Sequence, residues 1–199
     1  MITHADIIIS GFTQTLRAET GSERLWLQLR KHSTPSRMVI MREWRADWRG
    51  VAEHLSRVCT STPVVRVYAY SWGGGWGFIR LARELEKRGI VVASVVLCDP
   101  VYRSPWLPDW LPVNPLSLTR FPKIRVPGNV AVVHWLYQRK SRPRGHQPVS
   151  TNPATVVHEG IELHCTHVHA DKQHQYHELA RQVSAGSGPV SFPVSQDEE

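Results

Sequence analysis

The stretch Tyr68-Ala69-Tyr70-Ser71-Trp72-Gly73-Gly74-Gly75-Trp76-Gly77 decides how this chain is read. An apolar run, residues 63–70, precedes Ser71, and a run with helical spacing, residues 74–88, follows it. The chain therefore passes from strand to helix through a turn of small residues around one serine. A sharp turn of that kind leaves no room for bulk two positions before and two after the serine. Ala69 and Gly73 meet this demand. The turn would also hold the hydroxyl at a helix start, where free N–H groups favour negative charge. The same residues fit a glycine-rich loop that seats a helix against a sheet. The sequence lacks the GxGxxG of a dinucleotide site and the GK[ST] of a phosphate loop.

Working outward, apolar segments at 5–10, 37–42, 63–70, 90–97, 130–137 and 155–165 are expected as strands. Segments 23–32, 47–60, 74–88 and 171–183 are expected as helices, the last with Asp171 as its N-cap. Strands that alternate with helices and are apolar throughout predict an α/β protein. The expected fold is a three-layer αβα sandwich around a mainly parallel, about six-stranded sheet. A chain of 199 residues suits one domain, taken as 1–183, with a Ser/Gly/Pro-rich tail at 184–199.

The apolar fraction of 41% is that of a globular protein. No apolar run reaches the ~20 residues of a membrane span, and the N-terminal run is too short for a signal peptide. Cys59, Cys98 and Cys165 are odd in number and widely spaced, which fits reduced thiols. These features lead to the expectation of a cytoplasmic protein. The net charge of +7 raises the question of nucleic acid, but zinc-finger spacing and RNP-like motifs are missing from the sequence, so nucleic acid is not expected as a partner.

In parallel sheets, ligands sit beyond the carboxyl ends of the strands. The residues there include Gly11 and Phe12, Ser71, Asp99, Gln138 and His167, so a Ser, an Asp and a His occur in that order. Asp99 precedes Pro100, which stops its strand; the pair also fits a simple strand-end turn. The last segment holds His158, His164, His167, His169, His174 and His177. The loop before the last helix selects His167 and His169 as candidate bases, and His174 and His177 fall in the helix as solvent-facing residues. A metal centre built on this cluster lacks a specified third and fourth ligand, so no metal is expected.

The order Ser…Asp…His, each after a strand, resembles the α/β-hydrolase superfamily, in particular small lipase- or esterase-like serine hydrolases. The resemblance runs from Ile7 to about Val183, through IIISGFTQ, the YAYSWGGGWG turn, VVLCDPVYRS and HCTHVHADKQHQYHELA. Ala69 stands where a first glycine is commoner, and the short chain leads to the expectation that the first two strands of the full fold and a separate lid domain are absent. The resemblance implies the sheet order second, first, third, fourth, fifth, sixth strand. It implies a catalytic triad of Ser71, Asp99 and His167, with His169 as runner-up base. It implies an oxyanion hole from the backbone N–H of Trp72 and of Phe12 or Gly11, and no cofactor. The implied substrate is a small-molecule carboxylic ester or thioester. The proline-pinned stretch 104–127 carries Trp106 and Trp110; with Trp76 they are expected to wall a hydrophobic acyl site, or to pack on the protein's own core.

Overall fold

The structure, a computed structural model, describes residues 1–12, 14, 19–108, 115–119 and 121–186. The chain begins with β1, Ile2–Ser10, followed by α1 (Gly21–Arg30), β2 (Arg37–Glu43), α2 (Trp48–Val58) and β3 (Cys59–Tyr70). After the serine turn come a π-helical turn (Gly73–Gly77) that runs into α3 (Phe78–Glu86), and then β4 (Val92–Cys98). The rest comprises β5 (Ile124–Val126), β6 (Val130–Gln138), β7 (Pro148–Ser150), β8 (Val156–Val157), β9 (Ile161–Leu163) and α4 (His174–Ala185). The main sheet is parallel in the order β2-β1-β3-β4-β6-β8, with β9 also on β6.

Alternation along the strands explains why both faces need helices. Ile7, Ile9, Val67, Ala69, Val95 and Leu97 pack with Ala52 and Leu55 of α2 and Phe78, Leu81 and Leu85 of α3. Ile8, Tyr68, Tyr70, Val96 and Cys98 pack with Leu25 and Leu29 of α1 and Tyr176, Leu179 and Val183 of α4. Each strand is apolar on both sides, and the two sets of side chains point to opposite layers. Burying both sets drives the three-layer arrangement, at about 1.5–3 kcal/mol for each large apolar side chain removed from water.

The chain leaves β1 on one side for β2 and returns on the other for β3, so the order reverses between β1 and β3. Ser71 follows β3 directly and therefore stands beside that crevice.

Three expectations need correction. The strand expected at 155–165 is two short pieces, β8 and β9. The Trp135 indole N–H donates to the His158 carbonyl at 3.1 Å, which takes that backbone group out of regular pairing. Asp171 is not the cap of the last helix: 167–172 form a 3-10 turn, and α4 starts at His174 after Gln173. The helix continues to Ala185 and stops at Gly186 in the left-handed conformation (φ 78°). A second, two-stranded parallel sheet of β5 and β7 was not anticipated. Three-residue strands among prolines carry no periodicity. No helix among the described residues is long and apolar enough to cross a membrane.

Candidate active site

Ser71 has φ 54°, a left-handed conformation unusual for a residue with a side chain. Such strain costs about 1–3 kcal/mol and persists only where surrounding bonds enforce it. Here the Ser71 N–H donates to the Cys98 carbonyl at 3.1 Å, and the Ser71 carbonyl accepts from the N–H groups of Gly74, Gly75 and Val101, each at 3.0 Å. The turn is thereby tied to the end of β4 and the segment after it. Ser71 stands between the end of β3 and the helical segment, and only 4% of the residue is exposed.

Asp99 is also left-handed, at φ 42°, and fully buried. Its N–H donates to the Leu136 carbonyl at 2.7 Å. Its Oδ1 accepts from the Gln138 N–H at 3.2 Å, and its Oδ2 faces His167 Nδ1 at 2.5 Å. The other ring nitrogen, His167 Nε2, lies 2.9 Å from Ser71 Oγ. With Nδ1 protonated and donating to Asp99, Nε2 is free to accept from the serine hydroxyl. The structure thus brings Ser71, His167 and Asp99 into one hydrogen-bonded line. His169 is exposed, and its Nδ1 pairs with Thr166 Oγ1 at 2.8 Å instead.

His167 is held on both sides by residues that sequence reading missed. The Tyr70 hydroxyl donates to the His167 carbonyl at 2.6 Å, and the two rings stack at 5.2 Å. Burial, with the Asp171 charge next in importance, pushes the Tyr70 phenol well above its usual range, so it stays a donor. The His167 N–H donates to Ser141 Oγ at 2.7 Å. Gln138 folds that loop: its side chain accepts from the Ser141 N–H and donates to the Ser141 and Pro143 carbonyls. Tyr70 shows a signal in the sequence only as part of the apolar strand; Ser141 shows none.

Two amides follow β1. The Gly11 N–H is occupied by Gln14 Oε1 at 2.9 Å. Among the described residues, the N–H groups of Phe12 and Trp72 have no acceptor. Phe12 and Trp72 meet ring to ring at 4.5 Å. Trp72 also packs on Trp44, and the buried Arg103 guanidinium lies over both indoles, 4.6 Å from Trp72 and 5.2 Å from Trp44. That stack makes one wall of the site rigid.

Above Ser71 opens a cleft of about 350 Å³. Phe12, Tyr70, Trp72, Pro143 and Val168 supply its apolar lining, with Glu19, Ser117, Asp171 and Lys172 among the polar residues. Ser117 brings the proline-rich stretch to the cleft. Of the expected acyl-site tryptophans, Trp76 and Trp106 are not among the described residues that line it. Trp76 is buried beside Trp44, Trp72 and Val101, with Arg80 over its ring at 4.4 Å. Trp106 is 91% exposed away from the cleft lining, and Trp110 lies outside the described residues.

The histidine cluster disperses. His164 and His174 are exposed, and His158 stacks on His134 at 4.5 Å. His177, expected to face solvent, is buried: its ring joins Gln28 Oε1 and the Asp171 carbonyl, and burial lowers its pKa. Among the described residues no three His, Cys, Asp or Glu side chains converge as a metal site. Cys59 and Cys98 are buried and free, and burial pushes the Cys165 thiol up to about 11, which keeps it a weak nucleophile.

No protein-family model and no curated protein matches the chain. Solved structures do. ClbQ, from the colibactin NRPS/PKS pathway, is 8% identical, with 92% of this chain and 96% of that chain covered at a TM-score of 0.50. YbtT, a type II thioesterase from the yersiniabactin NRPS/PKS biosynthetic pathway, is 11% identical, with 92% of each chain covered at a TM-score of 0.45. A protein from Xanthomonas campestris pv. campestris, described provisionally as a hydrolase of the α/β superfamily, is 12% identical, with 92% and 96% covered at a TM-score of 0.43. At such identities the likeness concerns architecture alone. The parallel order β2-β1-β3-β4-β6-β8, helices on both faces and the match over nearly the whole chain show that this protein has an α/β-hydrolase-like fold.

Proposed function

We propose that this protein is a serine hydrolase that cleaves carboxylic esters or thioesters of small acyl groups through an acyl-enzyme. One observation carries the proposal: the unbroken line from Ser71 Oγ to His167 Nε2 (2.9 Å) and from His167 Nδ1 to Asp99 Oδ2 (2.5 Å), with the serine on a strained turn. In this reading Ser71 Oγ attacks the carbonyl carbon while His167 Nε2 takes its proton. The carbonyl oxygen becomes an oxyanion and meets the N–H groups of Trp72 and Phe12, each worth about 3 kcal/mol in the transition state. As the tetrahedral species collapses, the bond to the leaving alkoxide or thiolate breaks and His167 returns the proton to it. Water then repeats the sequence on the acyl-enzyme, with His167 again as base. Asp99 holds the imidazole in the required tautomer and stabilises its positive charge. No cofactor takes part.

The size of the cleft, about 350 Å³, bears on substrate. It lies at the small end of ligand sites, and its apolar lining suits a short acyl chain better than a long one. With purified protein, kcat/KM for p-nitrophenyl butyrate is expected to exceed that for p-nitrophenyl palmitate by at least about tenfold, since each misplaced methylene in such a pocket matters. A preference for palmitate would refute the short-chain assignment, and no turnover of either ester by folded protein would refute hydrolase function.

A further inference from the structure

The amide of Gln14 ties together three segments around the cleft. Its Oε1 accepts from the Gly11 N–H at 2.9 Å and from Ser22 Oγ at 2.9 Å. Its Nε2 donates to Asp171 Oδ2 at 2.5 Å, and the same carboxylate oxygen accepts from the Ser22 N–H at 3.0 Å. Ser22 is fully buried and Asp171 is 1% exposed, so water does not compete for these bonds. The turn after β1, the first turn of α1 and the 3-10 turn that bears His167 therefore share one network. The Asp171 carbonyl, facing His177 Nε2 at 2.8 Å, extends it to α4.

This network decides which amide is available to a substrate. Gly11 and Phe12 both follow β1 beside the serine, and a Cβ on Gly11 would lie only 2.9 Å from Ser71 Cβ. Gln14 occupies the Gly11 N–H and leaves that of Phe12 without an acceptor among the described residues. A donor that must meet a developing charge needs rigid support, because displacement by about 1 Å can cost on the order of 100-fold in rate.

The geometry points to Gln14 and Asp171 as positioning residues for the oxyanion site: they hold the Gly11 N–H so that the Phe12 N–H faces the carbonyl oxygen of a substrate on Ser71. This inference rests on the serine-hydrolase proposal. Gln14 transfers no proton; it orients the turn that carries a donor, and Asp171 orients Gln14.

The test compares Gln14→Met, which keeps length and removes both polar ends, with Ser22→Ala, which removes one support of the Gln14 oxygen. For p-nitrophenyl butyrate, Gln14→Met is expected to lower kcat about 30- to 100-fold with KM changed less than about twofold. The inhibition constant of phenylboronic acid, which forms a tetrahedral anionic adduct with the serine, should rise by a similar factor. Ser22→Ala should move kcat and the boronate constant the same way by about three- to tenfold. Rates are taken per active site labelled by a fluorophosphonate, so loss of folded protein does not imitate the effect. Wild-type kcat and boronate affinity in folded Gln14→Met would overturn the inference; if that variant does not fold, Ser22→Ala decides on the same two readouts. An inert wild type, without turnover or labelling, would instead refute the hydrolase proposal itself.

Discussion

Ester turnover should fall about 10⁶-fold in Ser71→Ala, in His167→Ala and in the double variant alike, because residues that act as one unit do not contribute additively. The physical basis is the chain of contacts. Without His167 no base among the described residues lies within hydrogen-bond reach of Ser71 Oγ to take its proton, and without Ser71 the imidazole has no hydroxyl to activate. Asp99→Asn should cost less, about 10⁴-fold, because the amide favours the wrong imidazole tautomer while leaving the geometry in place. His169→Ala should stay within about twofold of wild type by the ordinary tolerance of surface positions, since that side chain is exposed and paired with Thr166. Initial rates on p-nitrophenyl butyrate measure all of these. Retained activity in His167→Ala, with loss in His169→Ala, would overturn the assignment of the base.

Gly75→Val should abolish soluble folded protein, or lower the melting temperature by about 10 °C where some folds. A Cβ at Gly75 would lie 1.8 Å from the Val101 carbonyl oxygen and 2.4 Å from its carbon. Neither side can yield cheaply. The Gly75 N–H and the Val101 N–H both donate to the Ser71 carbonyl, so moving one strand of backbone from the other breaks the bonds that enforce the left-handed serine. Overpacking of ordinary cores costs about 1–3 kcal/mol, and a clash with pinned backbone exceeds that range. Gly128→Ala is the control: its nearest neighbour is the Glu86 carboxylate at 3.4 Å, and its melting temperature should stay within about 2 °C of wild type. Thermal unfolding followed by circular dichroism distinguishes the two.

The glycines after Ser71 show where sequence reading stops. Apolar runs alternating with helical segments sufficed for a parallel sheet covered on both faces, whereas the strand order followed only from the resemblance to the α/β-hydrolase superfamily. Small residues at Ala69 and Gly73 marked the turn through local sterics alone. Gly75 is required by a backbone 26 residues further on, at Val101, and no local pattern announces such a contact. The same holds for Tyr70, whose partner His167 is 97 positions away, and for Gln14, whose partner Asp171 is 157 away. Asp171 is the instructive case. An Asp before an apolar helical run reads as an N-cap, yet the helix starts later and the carboxylate meets the Ser22 N–H in the first turn of α1 instead. The tryptophans were ambiguous for another reason: apolar bulk serves a core and a pocket equally. Trp72 joined the cleft wall, whereas Trp76 turned inward and Trp106 outward.

The central claim is that Ser71 is a nucleophile activated by His167. Folded protein incubated with an alkyl fluorophosphonate and weighed intact should gain one adduct, and peptide mass mapping should place it on Ser71, with none in Ser71→Ala. Folded wild-type protein that gains no adduct, or carries it on another residue, would contradict the claim.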